Sequence, residues 1–108
     1  MDIRKDNEMY MQIALLTAQR SYAKRLKVGC VIVKNHSIIS FGWNAIAKLA
    51  ENGYSSKGAS IFISHSPCIH CSLLIQKCGI THVYYHEAYR DDMGINFLKK
   101  AGIYVEQL

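Results

Sequence analysis

"GASIFISHSPCIHC", residues 58–71, decides the fold of this chain. Ala59 to Ser66 form a run of strand length around Ile61, Phe62 and Ile63, and Pro67, the single proline, ends it. Proline has no N–H to give a ladder, and its fixed φ suits the entry to a helix. The spacing that follows predicts a helix over residues 69–77, "IHCSLLIQK", closing at Cys78-Gly79. Cys68 and Cys71 then share the first helical turn and can point at one ion. The partial positive charge of a helix N-terminus favours the thiolates that zinc requires. Redox dithiols share the Cys-x-x-Cys spacing, but thioredoxin-like motifs place it after the first strand of a βαβ unit. Here it follows the third strand, which favours zinc. Two thiolates do not complete a tetrahedral site, so a third protein ligand must come from elsewhere.

Working outward, "NEMYMQIALLTAQR", residues 7–20, reads as an amphipathic helix with Met9, Ile13, Leu16 and Ala18 near helical spacing. "VGCVIVK" is a buried strand, "NHS" a turn and "IISFGW" a second strand, together a hairpin. "AIAKLAENG" is a short helix stopped by Asn52-Gly53. Downstream, "THVYYHE" is a strand, "DDMGINFLKKAG" a helix and "IYVEQL" a last short strand. Strands alternating with helices after a hairpin imply a mixed, mostly parallel sheet with helices on both faces, wound by right-handed crossovers.

A chain of 108 residues supports one core and not two, so residues 1–108 are read as a single domain. No apolar run is long enough to span a bilayer. The charged start "MDIRKDNEMY" lacks the apolar stretch of a secretory signal, which places the protein in the cytoplasm. There, four cysteines point to metal binding or inert burial rather than disulfides. The net charge of +5 suits an anionic partner, a phosphorylated small molecule or nucleic acid, and equally a plain solvated surface.

With these pieces in this order, the sequence resembles the zinc-dependent cytidine and deoxycytidylate deaminase family, and within it the phage-type deoxycytidylate (dCMP) deaminases. The matching stretches are "RSYAKRLKVGCVIVK", "IISFGWN", "NAIAKLAENG", "GASIFISHSPCIHC", "CGITHVYY" and "YRDDMGINFLKKAGI". They cover nearly the whole chain. The resemblance implies a three-layer α/β/α fold on a five-stranded mixed sheet. It also implies hydrolysis of dCMP to dUMP by zinc-activated water, a cytoplasmic setting, and assembly into homo-oligomers.

The family signature has two halves, His-x-Glu on one helix and Pro-Cys-x-x-Cys on the next, and only the second half is present. Anchoring on Asn44-Ala45-Ile46 puts Ser40 in the histidine slot and Gly42 in the glutamate slot. Anchoring on Gly42-Trp43-Asn44 leaves no slot at all. A loop of a few tens of residues, with the first turn of the following helix, is therefore read as missing between Trp43 and Ala45. The histidine would be the third zinc ligand. The glutamate would carry protons, a role worth roughly 10²–10⁴-fold. Either the strand end unravels to span the shortened connection or the helix gives up its first turn.

No other residue inherits these roles by position. His65, two residues before Pro67, is the nearest substitute ligand but reads better as a packing residue. His36, His70, His82 and His86 read as surface residues. Glu51 falls two turns along its helix, while Glu8, Glu87 and Glu106 lie in unrelated elements. Around a nucleotide, the resemblance implies that Asn44 contacts the sugar, that Tyr89 borders the pyrimidine and that the Ser66 main chain approaches the base. Asn44 reads equally as a helix cap, and Tyr89 also fits an interface or capping tyrosine. Arg25 is a candidate phosphate ligand, with Ser21 and Arg90 near in role, because guanidinium pairs with phosphate bidentately; an exposed solubilising arginine fits as well. Cys30 and Cys78 read as inert thiols.

Three functions compete: a dCMP deaminase impaired by the shortening, a non-catalytic zinc- or nucleotide-binding module or oligomer subunit, and a nucleic-acid deaminase. "YRDDMGINFLKKAGI" and the phage-like hairpin rank the last lowest.

Overall fold

The computed structural model describes residues 3–19, 29–42, 45 and 55–108. Among them run α1 (Ile3–Gln19), β1 (Cys30–Lys34), β2 (Ser37–Phe41), β3 (Ser60–His65), α2 (Ile69–Lys77), β4 (His82–Glu87), α3 (Met93–Lys100) and β5 (Tyr104–Gln107). The expected "AIAKLAENG" helix is described only at Ala45, which is helical and buried; its other residues lie outside the described ones.

The hairpin is set by its turn. Asn35 and His36 take φ of 53° and 63°, the doubly left-handed pair whose twist matches that of the flanking strands. Val31, Ile32, Val33 and Lys34 face Phe41, Ser40, Ile38 and Ser37, with an irregularity between Ile32 and Val33. The Tyr10 hydroxyl of α1 donates to the His36 carbonyl at 3.2 Å and ties the turn to the helix.

The strands lie in the order β2-β1-β3-β4-β5. β1 pairs antiparallel with both β2 and β3, whereas β3–β4 and β4–β5 are parallel. The sheet is mixed, as expected, but evenly so rather than mostly parallel, because the hairpin's first strand also runs against β3. Side chains alternate between two cores, as a period of two requires. Val31, Val33, Phe62 and Tyr84 pack with Tyr10, Met11 and Ala14 of α1. Cys30, Ile32, Ile61, Ile63 and Val83 pack on the other face with Ile75 of α2, Leu98 of α3 and Ala45. These are the three layers.

One face was partly misread from sequence. Met9 and Leu16 are 49% and 59% exposed; Ala18 is buried and Ile13 packs on the core as expected, and Tyr10, Met11 and Ala14 complete the inward face. The backbone of α1 comes close to Gly29, just before β1, at Ala14 and Ala18. A Cβ on Gly29 would overlap Ala14, Thr17 and Ala18.

The loop of interest begins where β3 ends. β3 and β4 are parallel, so both deliver their C-terminal ends to one edge of the sheet, with His65 opposite Glu87. Open α/β sheets bind ligands at such an edge. α2 starts there and stops where expected. The N–H of Cys78 bonds to the Leu74 carbonyl, and Gly79, at φ 79°, returns its N–H to Gln76.

Candidate metal and nucleotide site

After β3, the Ser66 N–H donates to the Glu87 carbonyl at 2.8 Å and extends the parallel ladder by one step. Pro67 ends it. Cys68 then takes an extended conformation as the N-cap of α2, and its Sγ accepts the Cys71 N–H at 3.5 Å. Both thiols are exposed. They differ electrostatically: the backbone N–H of Cys71 pulls the Cys68 thiol below its ordinary value, while burial of its sulfur pushes Cys71 up to about 11. Two adjacent soft donors at a helix N-terminus fit two corners of a zinc tetrahedron. No group of three His, Cys, Asp or Glu side chains suited to a metal exists among the described residues. Among the described residues, the soft donors brought together at this turn are these two thiols.

His65 does not join them. Its Nδ1 lies 2.9 Å from Ser64 Oγ, and its Nε2 lies 3.3 Å from Glu87 Oε2. Both ring nitrogens are committed. His70 is exposed beside Cys71. His36, His82 and His86 sit on the surface as expected, the last two beside Thr81 Oγ1 and the Leu108 carbonyl.

The slots assigned to the missing pair hold other bonds. Ser40 is 8% exposed, and its hydroxyl donates to the Ala45 carbonyl at 2.9 Å. Gly42 stays in the ladder, its N–H donating to the Cys30 carbonyl at 2.8 Å and its carbonyl accepting from Cys30 at 3.3 Å. So the strand does not unravel before Gly42. Trp43 and Asn44, where any shortening of the helix would show, lie outside the described residues. Cys30 is buried, its thiol donating to the Gly42 carbonyl at 3.1 Å, and Cys78 is half-buried.

Ser66 and Tyr89 come together. The Tyr89 N–H donates to Ser66 Oγ at 2.8 Å, and the Tyr89 ring stacks on His65 with centroids 5.6 Å apart and planes 22° from parallel. The Ser66 hydroxyl thus holds Tyr89, where the sequence reading put its main chain ahead of its hydroxyl. Burial, and then the nearby Cys68, Cys71 and Glu87, raise the Tyr89 phenol above its ordinary value, which places the ring in the field of the thiols. Arg25, Asn44, Ser21 and Glu51 lie outside the described residues. Arg90 is exposed in the bend after Tyr89.

Glu87 is the residue that the sequence reading missed. It was assigned to an unrelated element, yet parallel register sets it beside His65 at the site edge. The available signal was strand length: "ISHS" and "YHEA" end their strands at equivalent points.

Comparison with known proteins gives a consistent result. The cytidine and deoxycytidylate deaminase zinc-binding region matches residues 4–87. A crystal structure of dCMP deaminase from the cyanophage S-TIM5, in complex with dCMP and dUMP, superposes with a TM-score of 0.92 at 34% identity, over 100% of this chain and 99% of that one. ComE operon protein 2 of Bacillus subtilis is 29% identical over 133 positions, taking in 94% of this chain and 70% of the relative. Deoxycytidylate deaminase of Saccharomyces cerevisiae is 27% identical over 134 positions, 91% of this chain and 43% of the relative, so the chain spans less than half of that enzyme. Both aligned stretches are longer than the 108 residues of the whole chain, so each relative has residues with no counterpart here.

Proposed function

We propose a function from one premise: this chain belongs to the cytidine and deoxycytidylate deaminase zinc-binding family and is dCMP deaminase-like in sequence and structure. Our reading is a cytoplasmic dCMP deaminase-type domain, internally shortened between Trp43 and Ala45. It keeps a pyrimidine nucleotide site and half of a metal centre, and it has lost hydrolytic power. Cys68 and Cys71 are its zinc ligands. Tyr89 and Ser66 form the base wall, with Asn44 toward the sugar and Arg25 toward the phosphate. As in similar enzymes, the chain works as a homo-oligomer.

The observation that carries this reading is the state of Ser40 and Gly42. A buried hydroxyl bonded to Ala45 and a ladder glycine offer neither a third ligand nor a carboxylate. Zinc, when fully held in this family, supplies an activated water. Two thiolates hold it weakly, and among the described residues Ser40 and Gly42 supply no proton carrier. What remains is binding: a flat aromatic wall for the base at the edge where the parallel strands end.

Zinc content per chain, measured beside dCMP hydrolysis followed by ultraviolet absorbance, tests the reading. The expected result is substoichiometric zinc after dialysis and no turnover above background, with dCMP still bound. One tightly held zinc per chain together with turnover of dCMP would overturn it. The DNA across codons 40 to 46 establishes whether the natural gene carries the shortened junction.

A further inference from the structure

Ser64, His65 and Glu87 make a continuous chain of bonds beside the nucleotide site. The Gly29 N–H donates to Ser64 Oγ at 3.0 Å. The same Oγ lies 2.9 Å from His65 Nδ1. The ionised Glu87 carboxylate, 3.3 Å from Nε2, can only accept, so Nε2 carries the ring proton, and in the neutral ring Nδ1 is left to accept from the serine hydroxyl. Serine, histidine and an acid in series suggest a hydrolytic triad, but Ser64 is only 1% exposed, so no substrate reaches it as a nucleophile.

The bonds instead fix a plane. Nδ1 of His65 is held by Ser64 of β3, itself tied to Gly29 just before β1, and Nε2 by Glu87 of β4, so the ring cannot rotate about χ2 without losing one of them. Tyr89 stacks on that plane, while its own N–H is held by Ser66. We infer that His65 is a positioning residue: pinned between Ser64 and Glu87 with its proton on Nε2, it sets the orientation of Tyr89, the wall on which the pyrimidine rests. This rests on the reading of Tyr89 as a base-contacting residue. Glu87 acts one step further back, as the acceptor that holds the histidine ring.

Two measurements test it. Long-range ¹⁵N–¹H spectra of the ligand-free chain should show His65 with Nε2 protonated and Nδ1 bare, and ring-to-ring contacts between His65 and Tyr89. Glu87→Ala should blur that tautomer and weaken the contacts, and Glu87→Gln, whose amide oxygen still accepts from Nε2–H, should recover both. In dCMP titrations, Glu87→Ala and His65→Ala should bind about three- to tenfold more weakly, the size expected for a lost aromatic stack, and Glu87→Gln should regain most of that loss. A purely electrostatic role for Glu87 would leave Glu87→Gln as weak as Glu87→Ala and overturns the inference. So does a proton on Nδ1, or a Glu87→Ala chain with unchanged spectra. Failure of the unmutated chain to bind dCMP would sink the nucleotide-site reading, and the spectra of the ligand-free chain would still decide whether His65 orients Tyr89.

Discussion

Gly94 of α3 presses its bare Cα against the carbonyl of Pro67, at the turn that presents Cys68. A Cβ built there would overlap that oxygen, stand 2.6 Å from Ser72 Oγ and 2.9 Å from the Cys68 carbonyl carbon. The third helix is thereby a backstop for the thiol turn. The hydroxyl of Ser72, wholly buried in the same seam, has no hydrogen-bond partner among the described residues.

Gly94→Ala must therefore move either α3 or the Pro67–Cys68 turn. Overpacking of this kind costs about 1–3 kcal/mol, and the expected readouts are a lowered denaturation midpoint and weaker zinc retention. Gly102→Ala is the control, because a Cβ there meets nothing, although its φ of 84° carries its own strain. Gly102→Ala should lower stability without altering zinc retention.

The two thiols should alkylate in a fixed order. Cys68, drawn below its ordinary value of 9.0 by the Cys71 N–H, reaches its thiolate first as pH rises. Cys71, raised to about 11 by burial and then by its neighbour, ionises last. In metal-free protein near pH 8, iodoacetamide should modify Cys68 about tenfold or more faster than Cys71. The Cys68 rate should level off below pH 9.0 while that of Cys71 is still climbing. Peptide mass mapping over a pH series checks both statements, and equal rates at all pH values would refute them.

Reinstating a family-length segment with its His-Ala-Glu between Trp43 and Asn44 should restore one zinc per chain. Hydrolysis of dCMP should rise by roughly 10²–10⁴-fold over the parent, the contribution of a placed general acid/base. The same insertion with alanine in place of its glutamate should hold zinc and remain inactive. Ser40→His alone should do neither, because that position is buried and bonded to Ala45 rather than open to the thiols.

The hairpin turn offers a gain in stability. His36 holds φ at 63°, a conformation that costs a residue with a Cβ roughly 1 kcal/mol. His36→Gly creates the Asn-Gly pair that such turns prefer and should raise the melting temperature by about 4–8 °C per kcal/mol gained in a domain of this size. Only the carbonyl of His36 bonds to Tyr10, so that contact survives the change.

Local chemistry was legible in the sequence wherever one element settles it alone. Pro67 stopping a strand, Cys68 and Cys71 opening a helix, Gly79 closing it and the alternation along β1 and β3 all depend on neighbours a few residues away. The absence of the His-x-Glu half is likewise a fact of sequence. What the tertiary structure decided was every relationship between elements. That α1 turns Tyr10, Met11 and Ala14 inward with Ala18, and leaves Met9 and Leu16 exposed, is set by its packing on the sheet. That β1 opposes β3, making the sheet evenly mixed, is a choice of partner that no single strand encodes. Glu87 lies at the site edge because parallel register sets it across from His65, and the packing role that spacing favoured for His65 takes the form of bonds to Ser64 and Glu87. Spacing determines what a segment can offer, and packing determines which of its atoms are already taken.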